Sequence, residues 1–336
     1  MIELYLILSL AFSGLGLSQA SAYFDNLSRR DFSVYQKQAA PILVTFKASD
    51  IFPWGIKQTG LEPKVHAKAA IAVDIDNGQT LFSYNEGGKL AMASLTKIMT
   101  ATIALERIQD FNVPVTVSKN AALVEGSRMN LWIDEKISLK DVLYGLILKS
   151  GNDAAVTLEE YYDNVVRPKT SCSSQTNDSE TKDPSKKEVA TQTPGFVQLM
   201  NQRVVDLGLK DMKFEDSSGI SENNTTSPED LVFLMEYAMR NQTFREIMST
   251  PQYTASALNG SLQHPMNTTN RLLNTRTDVL AGKTGYSEAA GYNMITVFKS
   301  PAGHRIVTIV FGTEGIDARF NETNKIIDWV YSYYRW

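Results

Sequence analysis

Strand patterns at the two ends of this chain, with helical patterns between them, restrict its fold more than any other feature. Near the N-terminal end Ala70–Ile75 alternates, Asn77-Gly78 supplies a tight turn, and Thr80–Tyr84 returns as the second arm of a hairpin. Near the C-terminal end three strand-like runs follow in order: VLAGKTG (279–285), GYNMITVFK (291–299) and RIVTIVFG (305–312). The last two are joined by the turn Ser300-Pro301-Ala302-Gly303. Strands that far apart in sequence share a core most economically as one antiparallel sheet of about five strands, built from both chain ends and packed on a helical cluster. The expected class is α+β.

The middle of the chain carries the helices. MASLTKIMTATIAL (92–105) is a long apolar run with Ser94 one turn ahead of Lys97. In SLKDVLYGLILKSGND (138–153), Ser138 and Asp141 make a capping-box-like start, and Leu139, Val142, Leu143, Leu146 and Ile147 fall on one face. FVQLMNQRVVDLGL (196–209) continues the series, and SPEDLVFLMEYAM (227–239) opens with Ser227 as N-cap and Pro228 at the first helical position. The chain closes with an amphipathic pattern, TNKIIDWVYSYYRW (323–336). Residues 166–194 are polar and rich in Ser and Thr. They cannot bury enough surface to offset their ordering entropy, and are expected as a surface insertion in the domain spanning 66–336. Residues 23–65 give no clean periodicity.

Composition narrows the function classes. With 43% hydrophobic and 21% charged residues in 336, the chain is an ordinary globular protein. A net charge of −4 without a basic run leaves no electrostatic footprint for nucleic acid. The single cysteine, Cys172, forms no intrachain disulfide and no thiolate zinc site. His66, His264 and His304 lie far apart and outside any HExxH pattern, so none is expected to ligate a metal; no organic cofactor is expected either. The N-terminus has an apolar core followed by Ala20-Ser21-Ala22, the pattern of a signal peptide cleaved after residue 22, although no Lys or Arg precedes the core. Export to the periplasm or cell envelope is therefore expected. The membrane contacts the sequence offers are an uncleaved N-terminus and the C-terminal aromatic helix, and packing of that helix on the sheet is the simpler expectation.

Three short strings carry the chemistry. Ser94-Leu95-Thr96-Lys97 opens a helix, Ser150-Gly151-Asn152 sits in the break between two helices, and Lys283-Thr284-Gly285 ends a strand. A Ser-x-x-Lys string arises about once by chance in a chain this long. Indeed Ser179–Lys182 is a second copy inside the polar insertion, where its lysine would stay solvated and protonated. The order of the three strings and the elements that hold them are what chance does not supply. A serine hydroxyl attacks only if a neighbour takes its proton. Ser94 and Lys97, at i and i+3 on a helix, face the same way. Lysine acts as base only with a depressed pKa. Leu95, Ile98, Met99 and Ile103 would bury Lys97, and Lys283 would add a second positive charge.

With the longer phrases LKSGNDAA (148–155), NQRVVDLGLKDMKFEDSSGI (201–220) and AGKTGYSEAAGYN (281–293), the chain resembles the low-molecular-weight penicillin-binding proteins. These are serine-type D-alanyl-D-alanine carboxypeptidases of the penicillin-recognising superfamily, with a β-lactamase/transpeptidase-like fold. The resemblance runs from about Lys68 to the C-terminus. It implies an acyl-Ser94 intermediate with Lys97 as base, and Ser150 relaying a proton to the departing amine. Asn152 would hold a substrate carbonyl and orient the lysine. Lys283 and Thr284 would meet the substrate carboxylate, and Gly285 would let the substrate lie along the strand edge. The oxyanion hole would be the backbone N–H groups of Ser94 and Tyr286. The implied partners are peptidoglycan stem peptides and β-lactams.

No β-rich C-terminal domain of the kind larger family members carry is expected after the sheet. That feature is shared with shorter members that cut cross-links as D,D-endopeptidases. A class A β-lactamase would need an E-x-x-L-N loop between Asn152 and Lys283, and none occurs. A non-catalytic binder of peptidoglycan or β-lactams is the reading from another class, and the intact Ser94 and Lys97 argue against it.

Overall fold

Strands from early and late in the described part of the chain meet in one sheet. The structure, a computed structural model, describes residues 56–57, 60–167 and 193–336. Strands β1 (Ala69–Asp74) and β2 (Gln79–Tyr84) form the hairpin, with Gly78 at φ 77 in its turn. The C-terminal runs become β3 (Val279–Ser287), β4 (Gly291–Lys299) and β5 (Arg305–Thr313). Between β4 and β5 the Gly303 N–H donates to Ser300 O at 2.8 Å, closing the turn at the expected four residues. The strand order is β3-β4-β5-β1-β2, every neighbouring pair antiparallel. The ends of the chain are joined where β5 pairs with β1, with Ile309 opposite Ile71 and Val307 opposite Val73. Strand β3, which carries Lys283-Thr284-Gly285, lies at one edge.

The alternation in β1 does not separate core from solvent, because all six of its residues are buried. Ile71 and Val73 face a core shared with the helices, whereas Ala70 and Ala72 face a second core under the C-terminal helix. Alanines suit the second face because a helix can then approach the sheet closely. That helix, α7 (Ala318–Tyr333), buries Phe320, Ile326, Ile327, Trp329 and Val330 against the sheet. It starts five residues before the amphipathic pattern, and its last aromatic residues leave the helix: Tyr334–Arg335 pair with Ile56–Lys57 as a short ladder. Trp329 packs edge-on against Phe82 at 6.0 Å, so the aromatic end lies on the sheet. Trp329 Nε1 also donates to Leu61 O and Lys325 Nζ to Lys64 O, tying the described part of the 23–65 lead to α7.

The helical cluster comprises α1 (Lys97–Arg107), α2 (Leu139–Leu148), α3 (Asn152–Tyr161), α4 (Phe196–Asp206), α5 (Pro228–Ala238) and α6 (Gln242–Met248). Ser138 Oγ accepts the Asp141 N–H at 3.0 Å and donates to its carboxylate at 2.7 Å, while Ser227 accepts from Asp230 with Pro228 behind it. All five expected apolar residues of α2 are buried. A hairpin of Gln252–Ser256 and Gln263–Asn267, absent from the sequence reading, packs beside α2. Its Tyr253 stacks on Tyr144 at 3.8 Å.

The signal-peptide pattern and most of the 166–194 insertion fall outside the described residues. The described flanks of the insertion meet, since Arg167 Nε donates to Thr193 O at 2.6 Å. Among the described residues no helix is long and apolar enough to cross a membrane.

Two-sided burial of β1 gives a direct test. Ala72→Leu should cost about 1–3 kcal/mol by overpacking the α7 face and lower the urea midpoint accordingly. An unchanged midpoint would mean that this face of β1 is not closed by α7.

Candidate active site

Ser94 sits in a single 3-10 turn, Ala93–Thr96, that feeds into α1. It is not a capping residue, because neither that turn nor α1 has a side-chain cap. The turn is strained. Ala93 adopts φ 47, a left-handed value that costs a non-glycine residue on the order of 1 kcal/mol. Neighbouring backbone holds it there: the Met92 N–H donates to Asn224 O at 3.0 Å, and the Gly219 Cα lies against the Ala93 carbonyl so closely that a Cβ would overlap it. From the other side β3 crosses the turn at Gly285, where a Cβ would lie 3.0 Å from Met92 O and 3.3 Å from Ser94 N. Two glycines thus let two segments press on the serine turn.

Lys97, fully buried, is the centre of the cluster. Its Nζ donates to Ser94 Oγ at 3.0 Å, to Asn152 Oδ1 at 2.7 Å and to the carbonyl of Ser218. Burial pushes its pKa down to about 7, against the pull of the Asp216 and Asp153 carboxylates. Of the two expected causes burial dominates, and the repulsion between the two amines shows on Lys283. Lys283 is itself held well below the usual lysine range by burial and then by the charges of Lys97 and Arg319.

The second string lies where expected, between α2 and α3. Ser150 adopts φ 55, and the loop 125–131 fixes the residues after it. Asn152 N–H donates to Ser127 O at 2.7 Å, and the Asp153 carboxylate accepts the N–H groups of Met129, Asn130 and Leu131. Neither Asn152 nor Asp153 is the α3 N-cap; Gly151 is. The Asn152 amide orients Lys97 through its oxygen. Its nitrogen donates to Glu125 O at 2.6 Å, which leaves one N–H for a substrate carbonyl. The third string reaches the second through Lys283 Nζ, which donates to Ser150 Oγ at 2.7 Å and to Thr284 O at 2.8 Å. Thr284 Oγ1 donates to Thr269 Oγ1 at 2.7 Å. Tyr286 follows on the same edge with its side chain 52% exposed and stacked on Tyr292 at 4.2 Å.

All eight residues singled out in the sequence therefore gather on the serine turn, the α2–α3 junction and the β3 edge. The segment that closes the third side lies partly in the 201–220 phrase, but sequence reasoning gave its residues no role. Ser218 contributes a carbonyl, for which no side-chain pattern exists, and Asn224 braces the serine turn through Thr96 Oγ1 at 3.1 Å. It also missed Arg319 on α7, which lies over the Tyr292 ring at 5.5 Å and donates to Gly285 O at 3.3 Å. The Arg319 Nε is buried and unpartnered. Elsewhere Asp74, Asp76 and His304 come within metal-ligating distance of one another. Their atoms are engaged within the chain: Asp74 accepts from His304 Nδ1 at 2.7 Å and Trp336 Nε1 at 2.8 Å, and Asp76 from Arg305 Nε at 2.7 Å. That cluster reads as a clamp on the C-terminus.

The model of the family described as D-alanyl-D-alanine carboxypeptidase matches residues 56–164 and 187–315. The D-alanyl-D-alanine carboxypeptidase DacF of Bacillus subtilis is 27% identical over 298 residues, which cover 87% of this chain and 69% of DacF. A D-alanyl-D-alanine endopeptidase of Pseudomonas aeruginosa is 23% identical over 80% of this chain and 79% of its own length. The crystal structure of the Streptomyces K15 DD-transpeptidase superposes with a TM-score of 0.68 at 26% identity, covering 81% of this chain and 100% of that one.

Gly219 provides the test of the serine turn. Gly219→Ala places a Cβ at φ 85 against the Ala93 carbonyl, and should cost more than about 1 kcal/mol, read as a lower melting temperature. Equal stability of the variant would show that the two segments are not in contact.

Proposed function

The chain belongs to the D-alanyl-D-alanine carboxypeptidase family, and from its site we infer a serine D,D-peptidase that removes the terminal D-Ala of peptidoglycan stem peptides. The observation that carries the residue assignment is the Ser94–Lys97 contact, 3.0 Å between Oγ and a buried amine with a pKa of about 7. A neutral amine has two N–H groups and one lone pair. With the N–H groups given to Asn152 Oδ1 and Ser218 O, the lone pair faces the Ser94 hydroxyl. Ser94 Oγ attacks the carbonyl of the penultimate D-Ala, and its proton passes to Lys97. The N–H groups of Ser94 and Tyr286 take up the charge on the oxygen. The departing amine receives a proton through Ser150, and water then releases the acyl group from Ser94.

Lys283 and Thr284 receive the substrate carboxylate. Lys283 is buried among cations, and an arriving anion supplies the countercharge it lacks. A β-lactam carries its carboxylate in a similar position and would acylate Ser94 in the same way. A stem-peptide substrate outside the cytoplasm would be met in the periplasm or cell envelope, and the export pattern at the N-terminus supports that compartment. A second reading, cleavage of cross-links, is favoured by the endopeptidase-named relative. It needs the same chemistry with a larger leaving group.

Intact mass after exposure to benzylpenicillin tests the assignment. The wild type should carry one persistent adduct and Ser94→Ala none. Lys97→Ala should acylate about 10²–10⁴-fold more slowly. Because the base acts only when neutral, wild-type acylation should rise with pH through about 7. Lys283→Ala should chiefly raise KM for D-Ala-D-Ala peptides. Full activity of that variant would remove the third string from the site.

A further inference from the structure

Building on the reading of Lys97 as the base for Ser94, we propose that Asp216 is a positioning residue for that base. It acts through the strap Ser217–Ser221, whose backbone it folds. Asp216 touches neither Ser94 nor Lys97 by any hydrogen bond. Its Oδ1 accepts the N–H of Ser218 at 2.7 Å, the N–H of Gly219 at 2.6 Å, the Ser218 hydroxyl at 2.7 Å and, more weakly, the N–H of Ile220 at 3.4 Å. Its Oδ2 accepts the N–H of Ser221 at 2.7 Å. One carboxylate therefore gathers four consecutive backbone amides, an arrangement only an acceptor on both oxygens satisfies.

With the amides turned inward, the strap's carbonyls face α1. Ser217 O accepts from Thr100 Oγ1 at 2.5 Å, and Ser218 O accepts from Lys97. Gly219, the next residue, is the one pressed on the Ala93 carbonyl. The strap is pinned at two further points. Asn224 Oδ1 accepts the N–H groups of Glu215 and Asp216 at 2.7 and 3.3 Å, and Ser217 Oγ donates to Glu159 on α3 at 2.6 Å. Without Ser218 O in place, the Lys97 amine can turn about its Cε–Nζ bond and its lone pair leaves Ser94. Asp216 thus sets the direction of the base, while Asn152 supplies the second bearing.

The same carboxylate acts through charge. The groups facing Lys97 are Asp216 and Asp153, which raise its pKa, Lys283 across Ser150, and Glu159 behind Ser217, whose carboxyl burial pushes upward. Removing the Asp216 charge removes an attraction that opposes desolvation, so the Lys97 pKa should fall and the alkaline-active form should appear at lower pH.

The test is the rate of Ser94 acylation by benzylpenicillin across the pH range, on the full chain, for wild type, Asp216→Asn and Asp76→Asn. Asp76 is a remote carboxylate at the β1–β2 turn, and its loss should leave the pH limb in place. For Asp216→Asn the limb should move to lower pH by about one unit, and the plateau should fall about tenfold. Plain destabilisation would lower the plateau and leave the limb unmoved. That result, in a wild type that does acylate, overturns the proposal. If the wild type forms no adduct, the reading of Ser94 fails, and the role of Asp216 falls with it. If Asp216→Asn does not fold, Asp216→Ser is measured in its place, and failure of both to fold makes Asp216 a folding residue and ends the positioning claim.

Discussion

The structure depends on a lysine amine taken out of water. Lys97 is fully buried, and a buried ammonium without partners would be costly to hold in the fold. Its three acceptors come from three separate segments: the serine turn, the α2–α3 junction and the 216–221 strap. Each of those segments is held in place by its own local device. The turn is pressed by Gly219 and Gly285, the junction by Asp153 on the loop amides, and the strap by Asp216. The amine is therefore a meeting point that none of the elements creates alone. Its depressed pKa follows from the same burial that makes the convergence necessary.

The sheet serves that convergence from the other side. Pairing β5 with β1 closes the domain and leaves β3 at an edge of the sheet. On β3 the residues facing the helices are Lys283 and Gly285, opposite Ile295 and Asn293 of β4. The first sends a cation to Ser150 and the second lets the strand approach the serine turn. Asn293 completes the contact, its Nδ2 donating to Ala91 O and its Oδ1 accepting from Gly312 N–H. Helix α7 covers the opposite face of the sheet and brings Arg319 to the same strand.

Much of this was legible because it is written in local patterns. The hairpin turn at Asn77-Gly78, the caps at Ser138 and Ser227, and the five strands of the sheet each follow from spacing over a few residues. The peripheral hairpin also has a short turn signal, Asn259-Gly260, but its strands are polar and its inward residues few, so no periodicity marked it. The start of α7 escaped because Arg319 and Glu322, buried in its first turns, read as surface residues.

By itself the sequence determined which residues the family resemblance would single out and which elements would hold them. Ser94, Lys97, Ser150, Asn152, Lys283 and Thr284 could be singled out because each belongs to a short string of the family pattern, and their side chains do come together. Tertiary structure alone decided what acts through backbone or across long separations. The Ser218 carbonyl, the four amides on Asp216, the two glycine contacts on the serine turn and the bond from Arg319 to Gly285 are of this kind. The physical reason is that every residue has the same carbonyl and amide. Only the folded path of the chain determines which of them faces the Lys97 amine.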